Sequence, residues 1–381
     1  MKIASKIENI IVIVLFAIIL AFPYYANILN WNGELVGAEE KVEFSFENID
    51  EYLSQNFPGR AEIMRLKNQF LYSAFDISPN GTIVKVGDNL FATETLNYYY
   101  HGLYSLKPYE IKKVVNKLVY FNEYCKKNDK KMLVILTPTK LRYYDGAMPF
   151  TDYIIKKYSG DSAKNDTIKP YDMLKDELNK TDIYCFDAIE EIDKNKYKYM
   201  NDIAPLFYKS GHHWSNLMGR KVSLALQDYM RDKMELKVPY MNIVATPSDV
   251  AIDPDADLFY VLNIEDKPNE KFYEVSHEVY DFQTDNLNFI MHGGSFTVQL
   301  MLPAVVLGGT GDIVQMINKK VFYNNYSNIE DFESYDELNT RMNLLEHAKN
   351  ADVFIFEIHE VNVYNATFGF LDYLLEHEED I

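Results

Sequence analysis

Two short motifs carry side chains that could perform nucleophilic chemistry, and the first of them offers a general base. Gly211-His212-His213-Trp214 is followed by Ser215 and then by a helical pattern of apolar residues. Ser215 is a suitable N-cap for that helix. A histidine at the start of a helix is well placed to accept a proton from a nucleophile that comes from elsewhere in the chain. An aromatic cluster that only caps the helix would have the same residues, so the motif needs a partner.

The second motif, His292-Gly293-Gly294-Ser295-Phe296, offers the nucleophile. It lies between an apolar strand pattern at 287–291 and a helical pattern. The carboxyl ends of parallel strands are where open α/β sheets place their active sites. Ser295 and the backbone of Gly294 would then lie at a helix N-terminus, where N–H groups can stabilise an oxyanion. Most Gly-Gly-Ser triplets are plain turns, and this one lacks the Gly-x-Ser-x-Gly spacing of the α/β-hydrolases.

Strand and helix patterns alternate along most of the chain and would bring the two motifs to one sheet. Short apolar strand patterns lie at 132–136, 183–186, 287–291, 321–323 and 353–358, with helical patterns between them. Such alternation predicts an α/β fold, with a mostly parallel sheet and helices on both faces. Residues from about 237 to 285 break this order. The period-two alternation at 273–280 predicts an antiparallel hairpin beside the main sheet.

The N-terminus carries a targeting signal. Residues 10–22 are all apolar, and Lys2 and Lys6 precede them. A cleaved signal peptide and an uncleaved signal-anchor share this pattern, but no small-x-small cleavage site follows it, which favours the anchor. The positive-inside rule then makes this a single-pass protein of the cell membrane whose main domain lies on the extracytoplasmic side. The predicted organisation is an anchor at 1–28, a stalk and N-terminal extension at 29–80, and an α/β domain at 81–381 with an inserted hairpin region at about 237–285.

Composition excludes several classes of protein. The formal net charge is -19 and the sequence pI about 4.9, which argue against nucleic acid as a partner. An apolar content of 48% excludes wholesale disorder. The 8 histidines show no metal-ligand spacing, so neither a metal nor another cofactor is predicted. Cys125 and Cys185 could form a disulfide outside the cytoplasm or remain two buried thiols.

Several short motifs, taken in order, resemble a known group of proteins. The motifs are Phe57-Pro58-Gly59-Arg60, Gly87-Asp88-Asn89-Leu90-Phe91, Thr137-Pro138-Thr139-Lys140, His212-His213-Trp214, Gly293-Gly294-Ser295-Phe296, and Asp352 and Glu360 around the last strand. This order resembles the SGNH-hydrolase-like polysaccharide O-acetyltransferases of the alginate O-acetylation (AlgX/AlgJ) type, in particular their Asp-His-His-Trp branch. The resemblance covers residues from about 50 to 365. Each motif is short and degenerate, so their order and spacing carry the comparison.

The resemblance implies both an activity and a set of site residues. Ser295 becomes the nucleophile and His213 its base. Gly294, His212, Trp214, Lys140 and Glu360 fall at supporting or oxyanion-stabilising positions. The activity implied is acetyl transfer to, or removal from, an exported cell-surface polysaccharide. The partner implied is a multispanning membrane O-acyltransferase. The acidity of the chain favours a neutral glycan over a polymer of uronic acids.

One position departs from the pattern of that group. Where the group has an aspartate two residues before the base, this chain has Gly211. Loss of the orienting acid of a catalytic triad costs about 10⁴-fold in turnover in the best-studied case. The acid could come from Asp202 or Asp352, or the enzyme could work slowly as a Ser-His pair. If the acid is missing, Gly211→Asp should raise turnover.

Two other functions stay open at this stage. The domain could have lost catalysis and serve as a glycan-binding or scaffold subunit of an exopolysaccharide acetylation machine, as Gly211 would allow. It could instead transfer a different acyl group, such as D-alanine, to teichoic acid.

Overall fold

The computed structural model describes residues 60–101, 104–144, 169–200, 202–280, 285–300, 311–323 and 329–381. The predicted anchor and most of the predicted stalk lie outside the described residues. Within the described ranges, no helix has both the length and the apolar character needed to cross a bilayer. The described residues divide into two compact units: 60–80 with Tyr260–Lys267, and those of Gly81–Phe259 with Pro268–Ile381.

The described part of the first unit is built around one helix, α1 (Arg60–Phe75). Its Asn68 side-chain amide donates to the carbonyls of Leu262 and Asn263, at 3.0 and 3.3 Å. Because these two acceptors come from the segment 260–267, the amide ties that segment to the helix.

The second unit contains the strands and the remaining helices. The strands are β1 (Ile83–Val86), β2 (Asn89–Ala92), β3 (Lys131–Thr137), β4 (Tyr184–Asp187), β5 (Tyr240–Ser248), β6 (Phe272–Tyr280), β7 (Phe289–Gly293), β8 (Ile313–Ile317), β9 (Lys320–Tyr323), β10 (Ile329–Asp331) and β11 (Val353–His359). The helices are α2 (Thr93–His101), α3 (Pro108–Lys127), α4 (Lys140–Tyr144), α5 (Pro170–Leu178), α6 (Ala188–Lys194), α7 (Lys196–Met200), α8 (Asn216–Asp232), α9 (Asp257–Val261), α10 (Thr297–Leu300), α11 (Tyr335–Met342), α12 (Leu344–Asn350) and α13 (Phe370–Glu376). A 3₁₀ helix, Glu360–Asn365, follows β11.

One seven-stranded sheet organises this unit, in the order β10-β9-β8-β7-β11-β3-β4. Strands β8, β7, β11, β3 and β4 are mutually parallel, whereas β9 and β10 form an antiparallel edge. The predicted α/β architecture with a mostly parallel central sheet is confirmed. Its parallel strands end on the same edge, which is where Gly293 and His359 lie.

The sheet is buried on both faces, as the unbroken apolar runs require. In β3, Val134 and Leu136 pack in one cluster with Leu118 and Phe121 of α3. Leu133 and Ile135 point to the opposite face by strand alternation and are also fully buried. A strand covered on both sides therefore has a continuous apolar sequence rather than an alternating one.

Two details of the main sheet differ from the sequence prediction. The pattern at 321–323 belongs to β9, which is antiparallel, and the parallel strand before it is β8. A tight turn joins the two strands, with Asn318 in the left-handed region at φ 54°, a conformation that asparagine tolerates better than most residues. One of the predicted helical patterns, the one before β11 at 338–348, forms two helices, α11 and α12, which are separated at Asn343, where φ is 55°.

The region that interrupts the alternation contains a long antiparallel pair. Strands β5 and β6 pair from Tyr240 opposite Tyr280 to Ser248 opposite Phe272, in a sheet of their own. The connection between them includes α9. Cys125 and Cys185 are free thiols, of which Cys125 is buried and Cys185 is partly buried.

Candidate active site

Ser295 and His213 meet at the carboxyl edge of the sheet. Ser295 lies in the turn that joins β7 to α10, and His213 lies just before α8. The ring nitrogen Nε2 of His213 is 2.7 Å from the Ser295 hydroxyl oxygen. The fold therefore brings together the two residues that the sequence suggests as base and nucleophile.

Asp257, which the sequence analysis did not select, completes the hydrogen-bonded series. Its Oδ2 is 2.7 Å from Nδ1 of His213. Its Oδ1 accepts the backbone N–H groups of His212 and Leu258, at 2.7 and 2.9 Å. Burial alone would raise the pKa of Asp257, but the hydrogen bond and charge of His213 outweigh it, so the pKa is lowered. An ionised Asp257 holds the Nδ1–H tautomer of His213 and leaves Nε2 free to accept the serine proton.

The N-terminus of α8 fixes the positions of both His213 and Asp257. Ser215 caps the helix, with its hydroxyl accepting the N–H of Met218 at 3.2 Å. The next residue, Asn216, donates its backbone N–H to Asp255 at 2.8 Å. Asp255 is buried, and burial raises its pKa to about 7. Because Asp255 is bound to the helix that begins just after His213, its neighbour Asp257 is held beside the imidazole.

The two acids suggested by the sequence lie elsewhere. Asp202 forms an ion pair with Lys221 of α8. Asp352 directly precedes β11 and accepts the backbone N–H of Asn288 at 2.7 Å. Since Asp352 lies where a parallel strand begins, it is at the sheet edge opposite to Ser295. The choice of Asp202 or Asp352 as replacement acid is therefore corrected to Asp257.

Gly211 has a packing role that the sequence did not indicate. A side-chain carbon built on this residue would lie 2.6 Å from the carbonyl oxygen of Asp255. A contact that short is not tolerated, and the obstacle is backbone that cannot rotate away. The glycine thus lets the 211–213 segment pack closely against residues 253–257, which we call the acidic loop. Because of this short contact, we now expect Gly211→Asp to lower turnover rather than to raise it.

The turn before Ser295 is held by a buried acid, Glu357 of β11. The N–H of Gly294 donates to Glu357 Oε2 at 2.7 Å, and the Thr137 hydroxyl donates to Oε1. Burial raises the pKa of Glu357 to about 7. Because its N–H is already bound, Gly294 cannot use this group to stabilise an oxyanion. The predicted supporting role of Gly294 is therefore conformational.

Two other donors belong to residues that line the cleft of Ser295. The backbone N–H of Ser295 has no hydrogen-bond acceptor among the residues that the structure describes. Asn362 lines the same cleft, and its amide nitrogen is 3.6 Å from the point where Gly294 would carry a side-chain carbon. The cleft has a volume of about 160 Å³ and is bordered also by Glu94, Thr95, His212, Asn318 and His359. These two groups are therefore the candidate donors for an oxyanion on a carbonyl attacked by Ser295.

Trp214 and His212 support this geometry by packing. The indole N–H of Trp214 donates to the carbonyl of Phe296 at 3.3 Å, which links the histidine motif to the serine motif. The His212 ring contacts the rings of His213 and Phe296. Burial, and to a smaller extent the nearby charge of His213, lowers the pKa of His212 to about 3. His212 therefore stays neutral and acts through its backbone, which holds Asp257.

Lys140 acts at the back of the histidine motif rather than in the cleft. Its ammonium is buried and donates to four backbone carbonyls, those of Leu90, Tyr208, Lys209 and Gly211, at 2.8–2.9 Å. Burial lowers the pKa of Lys140 to about 7. Four acceptors around a group with three protons form a cage. The cage fixes the turn that leads into His212 and His213.

Glu360 is also structural in this arrangement. It is fully buried and forms a two-pronged ion pair with Arg142, at 2.7 and 3.1 Å. Tyr99 donates its hydroxyl to the same carboxylate at 2.9 Å. Glu360 makes no contact with Ser295 or His213 in the described part of the chain. Its network holds the segment after β11, which carries Asn362.

Asn362 and Asp257 differ in how far the sequence could have indicated their roles. Asn362 follows the last strand at the same sheet edge as Ser295, so its position could have been inferred from the parallel order. Asp257 stands in the run Asp253-Pro254-Asp255-Ala256-Asp257 of the inserted region, separated from His213 by 44 positions. Nothing local in the sequence connects that run to the histidine. Among the described residues, no group of His, Cys, Asp or Glu side chains is arranged to hold a metal ion.

Comparisons with known proteins give structural likeness without sequence likeness. No protein-family model matches the chain. No curated protein matches it either. Among solved structures, the chain is similar to the O-acetyltransferase domain of Pseudomonas putida AlgJ (TM-score 0.44, 12% identity, 74% of this chain and 92% of that one).

Two further solved structures show comparable likeness. They are Pseudomonas aeruginosa AlgX (TM-score 0.43, 13% identity, 77% and 68% covered) and Bacillus cereus PatB1 (TM-score 0.42, 8% identity, 74% and 97% covered). At identities this low, such likeness concerns the fold and assigns no activity to this chain.

Proposed function

We propose that this protein transfers acetyl groups to, or removes them from, an exported cell-surface polysaccharide through an acyl-serine intermediate. The observation that carries the proposal is the series Asp257–His213–Ser295, with both hydrogen-bond distances at 2.7 Å. An acid, an imidazole and a serine in this order are the parts that acyl transfer requires. The choice of acetyl group and polysaccharide comes from the resemblance in the order of the sequence motifs.

The reaction proceeds in two half-reactions. In the first, Ser295 Oγ attacks the carbonyl carbon of an acetyl ester while its proton passes to His213 Nε2. Asp257 stabilises the resulting imidazolium, and the oxyanion accepts hydrogen bonds from the Ser295 N–H and the Asn362 amide. The intermediate collapses, the C–O bond to the leaving alcohol breaks, and the imidazolium returns the proton to that oxygen. Acetyl-Ser295 remains.

The second half-reaction decides between transfer and removal. An incoming hydroxyl gives its proton to His213 and attacks the acetyl-serine. A glycan hydroxyl yields an acetylated polysaccharide, whereas water yields acetate. In both cases the imidazolium then protonates Ser295 Oγ as the ester bond breaks, which restores the starting state.

The size of the cleft favours a short acyl group. Its volume of about 160 Å³ is well below the roughly 300–1,000 Å³ of pockets that hold drug-sized ligands. An acetyl group fits in this volume by itself, whereas a long acyl chain would need space outside the cleft. A D-alanyl group stays the nearest alternative, because Glu94 at the cleft border could receive its ammonium.

The binding-subunit alternative depended on the glycine at 211. Its argument was that no acid oriented His213, and Asp257 now occupies that place. We therefore place catalysis ahead of glycan binding alone. The anchor at 1–28 and a multispanning membrane O-acyltransferase as acyl donor remain parts of the proposal.

The test is direct detection of the acyl-serine. Full-length protein in detergent is incubated with 4-nitrophenyl acetate, and nitrophenol release and the intact mass of the chain are followed. We expect release by the wild type and a mass increase of one acetyl group mapped to Ser295. Ser295→Ala should abolish both, whereas the control Ser248→Ala, in β5 and outside the cleft, should retain both.

Two outcomes would oppose the proposal. Equal release by the wild type and Ser295→Ala would mean that the esterase activity does not come from this site. A stable protein that never acquires the acetyl group, with His213→Ala indistinguishable from the wild type, would leave the binding-subunit function as the better account. Faster turnover of a D-alanyl ester than of the acetyl ester would change the acyl group but keep the mechanism.

A further inference from the structure

A second, larger cleft lies next to the one that contains Ser295. It has a volume of about 470 Å³ and is formed by the start of α11, the end of the 3₁₀ helix and one side of α13. Its walls carry the rings of Phe332, Tyr335, Phe368 and Tyr373. We call it the aromatic groove. Asn318 borders both this groove and the Ser295 cleft, so the two are adjacent.

Two residues that line the groove also contact the turn that carries Ser295. The backbone N–H of Asn318 donates to the carbonyl of Gly293 at 2.9 Å. The Phe368 ring lies 3.8 Å from the point where Gly294 would carry a side-chain carbon. For a chain molecule whose reacting group lies at Ser295, the groove is therefore a neighbouring surface.

The aromatic walls of the groove are held in place. The Tyr335 hydroxyl is 2.9 Å from both the His292 ring nitrogen and the Phe368 carbonyl oxygen. The Tyr335 ring also packs on the rings of Phe332 and Tyr373, with centroids 5.5 and 5.4 Å apart. Phe332 and Tyr373 are almost fully buried, so Tyr335 and Phe368, which are partly exposed, are the rings that offer apolar surface to the C–H face of a sugar. Because these rings are fixed, such packing has little entropic cost.

One wall residue has a polar group that lacks a partner. Tyr373 is only 7% exposed, and its hydroxyl has no hydrogen-bond partner among the described residues. Buried polar groups are nearly always bonded, but this oxygen is itself inaccessible, so it offers no direct contact to a sugar in the groove.

The rim of the groove is acidic. Four carboxylates line it, from Glu333, Asp336, Asp372 and Glu376, against a single ammonium from Lys319. Of the four, only Asp372 is ion-paired within the described ranges, to Lys117. The Lys319 ammonium donates to the backbone carbonyl of Glu333. The local field therefore repels polyanions and attracts cations.

We propose that the aromatic groove is the glycan subsite of this enzyme and that it selects against uronic acids. It binds neutral sugars through ring packing and hydroxyl–carboxylate hydrogen bonds. It binds sugars with a free amino group most tightly, because the ammonium adds charge attraction to the same contacts. This inference rests on the proposed function for its acetyl chemistry, but the binding it describes requires no turnover.

The test measures binding in a Ser295→Ala background, so that catalysis does not enter. Full-length protein in detergent is titrated calorimetrically at low ionic strength with three tetrasaccharides, of glucosamine, of N-acetylglucosamine and of galacturonic acid. We expect affinity to fall in that order, with the galacturonate not bound. Added salt should weaken the binding of the glucosamine oligomer and leave the affinity for the N-acetylglucosamine oligomer nearly unchanged.

Substitutions then locate the binding in the groove. Asp336→Asn keeps the shape of the side chain and removes its charge. The affinity for the glucosamine oligomer should fall about twofold to fivefold, as expected for the loss of an exposed charge pair. Asp331→Asn, in β10 and outside the groove, is the matched control and should change nothing. Melting temperatures of all variants confirm that they are folded.

Distinct results separate the failure of this inference from failure of the proposed function. Galacturonate binding as tight as glucosamine binding would overturn the selectivity. Equal affinities in Asp336→Asn and the parent would overturn the location. A wild-type protein without esterase activity that still binds the glucosamine oligomer through Asp336 would remove the catalytic proposal and leave the subsite intact.

Discussion

Gly211 and Asp255 approach each other so closely that no side chain fits between them. A carbon attached to Gly211 would lie 2.6 Å from the Asp255 carbonyl oxygen. The two residues belong to the segments that carry His213 and Asp257. The glycine that replaces the acid of the resembling family is therefore the residue that lets a different acid reach the histidine.

This contact predicts that Gly211→Asp harms the protein. Forcing a side chain against backbone should lower the free energy of unfolding by about 1–3 kcal/mol and, by displacing the acidic loop, lower ester turnover. Gly81→Asp is the control, because a side-chain carbon at Gly81 meets nothing within 4 Å. Denaturant unfolding and nitrophenyl acetate turnover are measured on both. A Gly211→Asp protein that is as stable as the control and faster than the wild type would revive the missing-acid hypothesis.

Asp257→Asn should remove most of the catalysis while keeping the fold. An amide can neither stabilise the imidazolium nor enforce the Nδ1–H tautomer, and the corresponding change in a well-studied triad costs about 10⁴-fold in turnover. Asp253→Asn, exposed in the same loop, should be nearly silent. Asp202→Asn and Asp352→Asn should also keep catalysis, because neither acid contacts His213. A large loss in either of those two, with Asp257→Asn active, would return the role to the acids suggested by the sequence.

Asn362→Ala tests the side-chain donor of the oxyanion site. Because its hydrogen bond to the substrate oxygen strengthens as charge develops, the loss should appear in kcat, by about 10²- to 10³-fold, with KM little changed. Asn350→Ala, at the end of α12, provides a matched control whose kinetics should equal those of the wild type. An increase in KM with kcat unchanged would make Asn362 a substrate-binding residue instead.

Glu357 predicts a pH dependence of stability. Burial raises its pKa from the ordinary value of 4.5 to about 7, so between these pH values the folded state binds more protons than the unfolded state. The stability contributed by this group is present below about pH 4.5 and is lost as the pH rises through 7. Glu357→Gln keeps an acceptor for the Gly294 N–H and removes the titration.

The measurement compares melting temperatures of the wild type and Glu357→Gln from pH 4.5 to 8. The melting temperature of the variant should rise relative to that of the wild type as the pH increases, and most of this relative increase should fall between pH 5 and 7. Glu379→Gln, at an exposed position near the C-terminus, should show no such trend. A difference between the wild type and Glu357→Gln that does not vary with pH would show that Glu357 does not titrate in this range.

The sequence by itself determined the layered architecture and the edge at which chemistry takes place. Short apolar runs such as 132–136 are typical of strands covered on both faces, and their alternation with helices predicts a mostly parallel sheet. Parallel strands end together, so Ser295 after β7 had to lie at the same edge as the residues after β3 and β11. The pairing of Ser295 with His213 also followed from the sequence, through the order of its motifs.

Only the tertiary structure decided which acid serves His213 and which N–H groups are free. Asp257 is 44 positions from the histidine, in a loop that is placed by the bond between Asp255 and the N-terminus of α8. The Gly294 N–H is taken by Glu357 from a neighbouring strand. Such contacts depend on how segments that are distant in the sequence pack against each other. Local patterns of polarity do not predict that packing. Periodicity reports which face of an element is buried, but not which side chain across the interface it will meet.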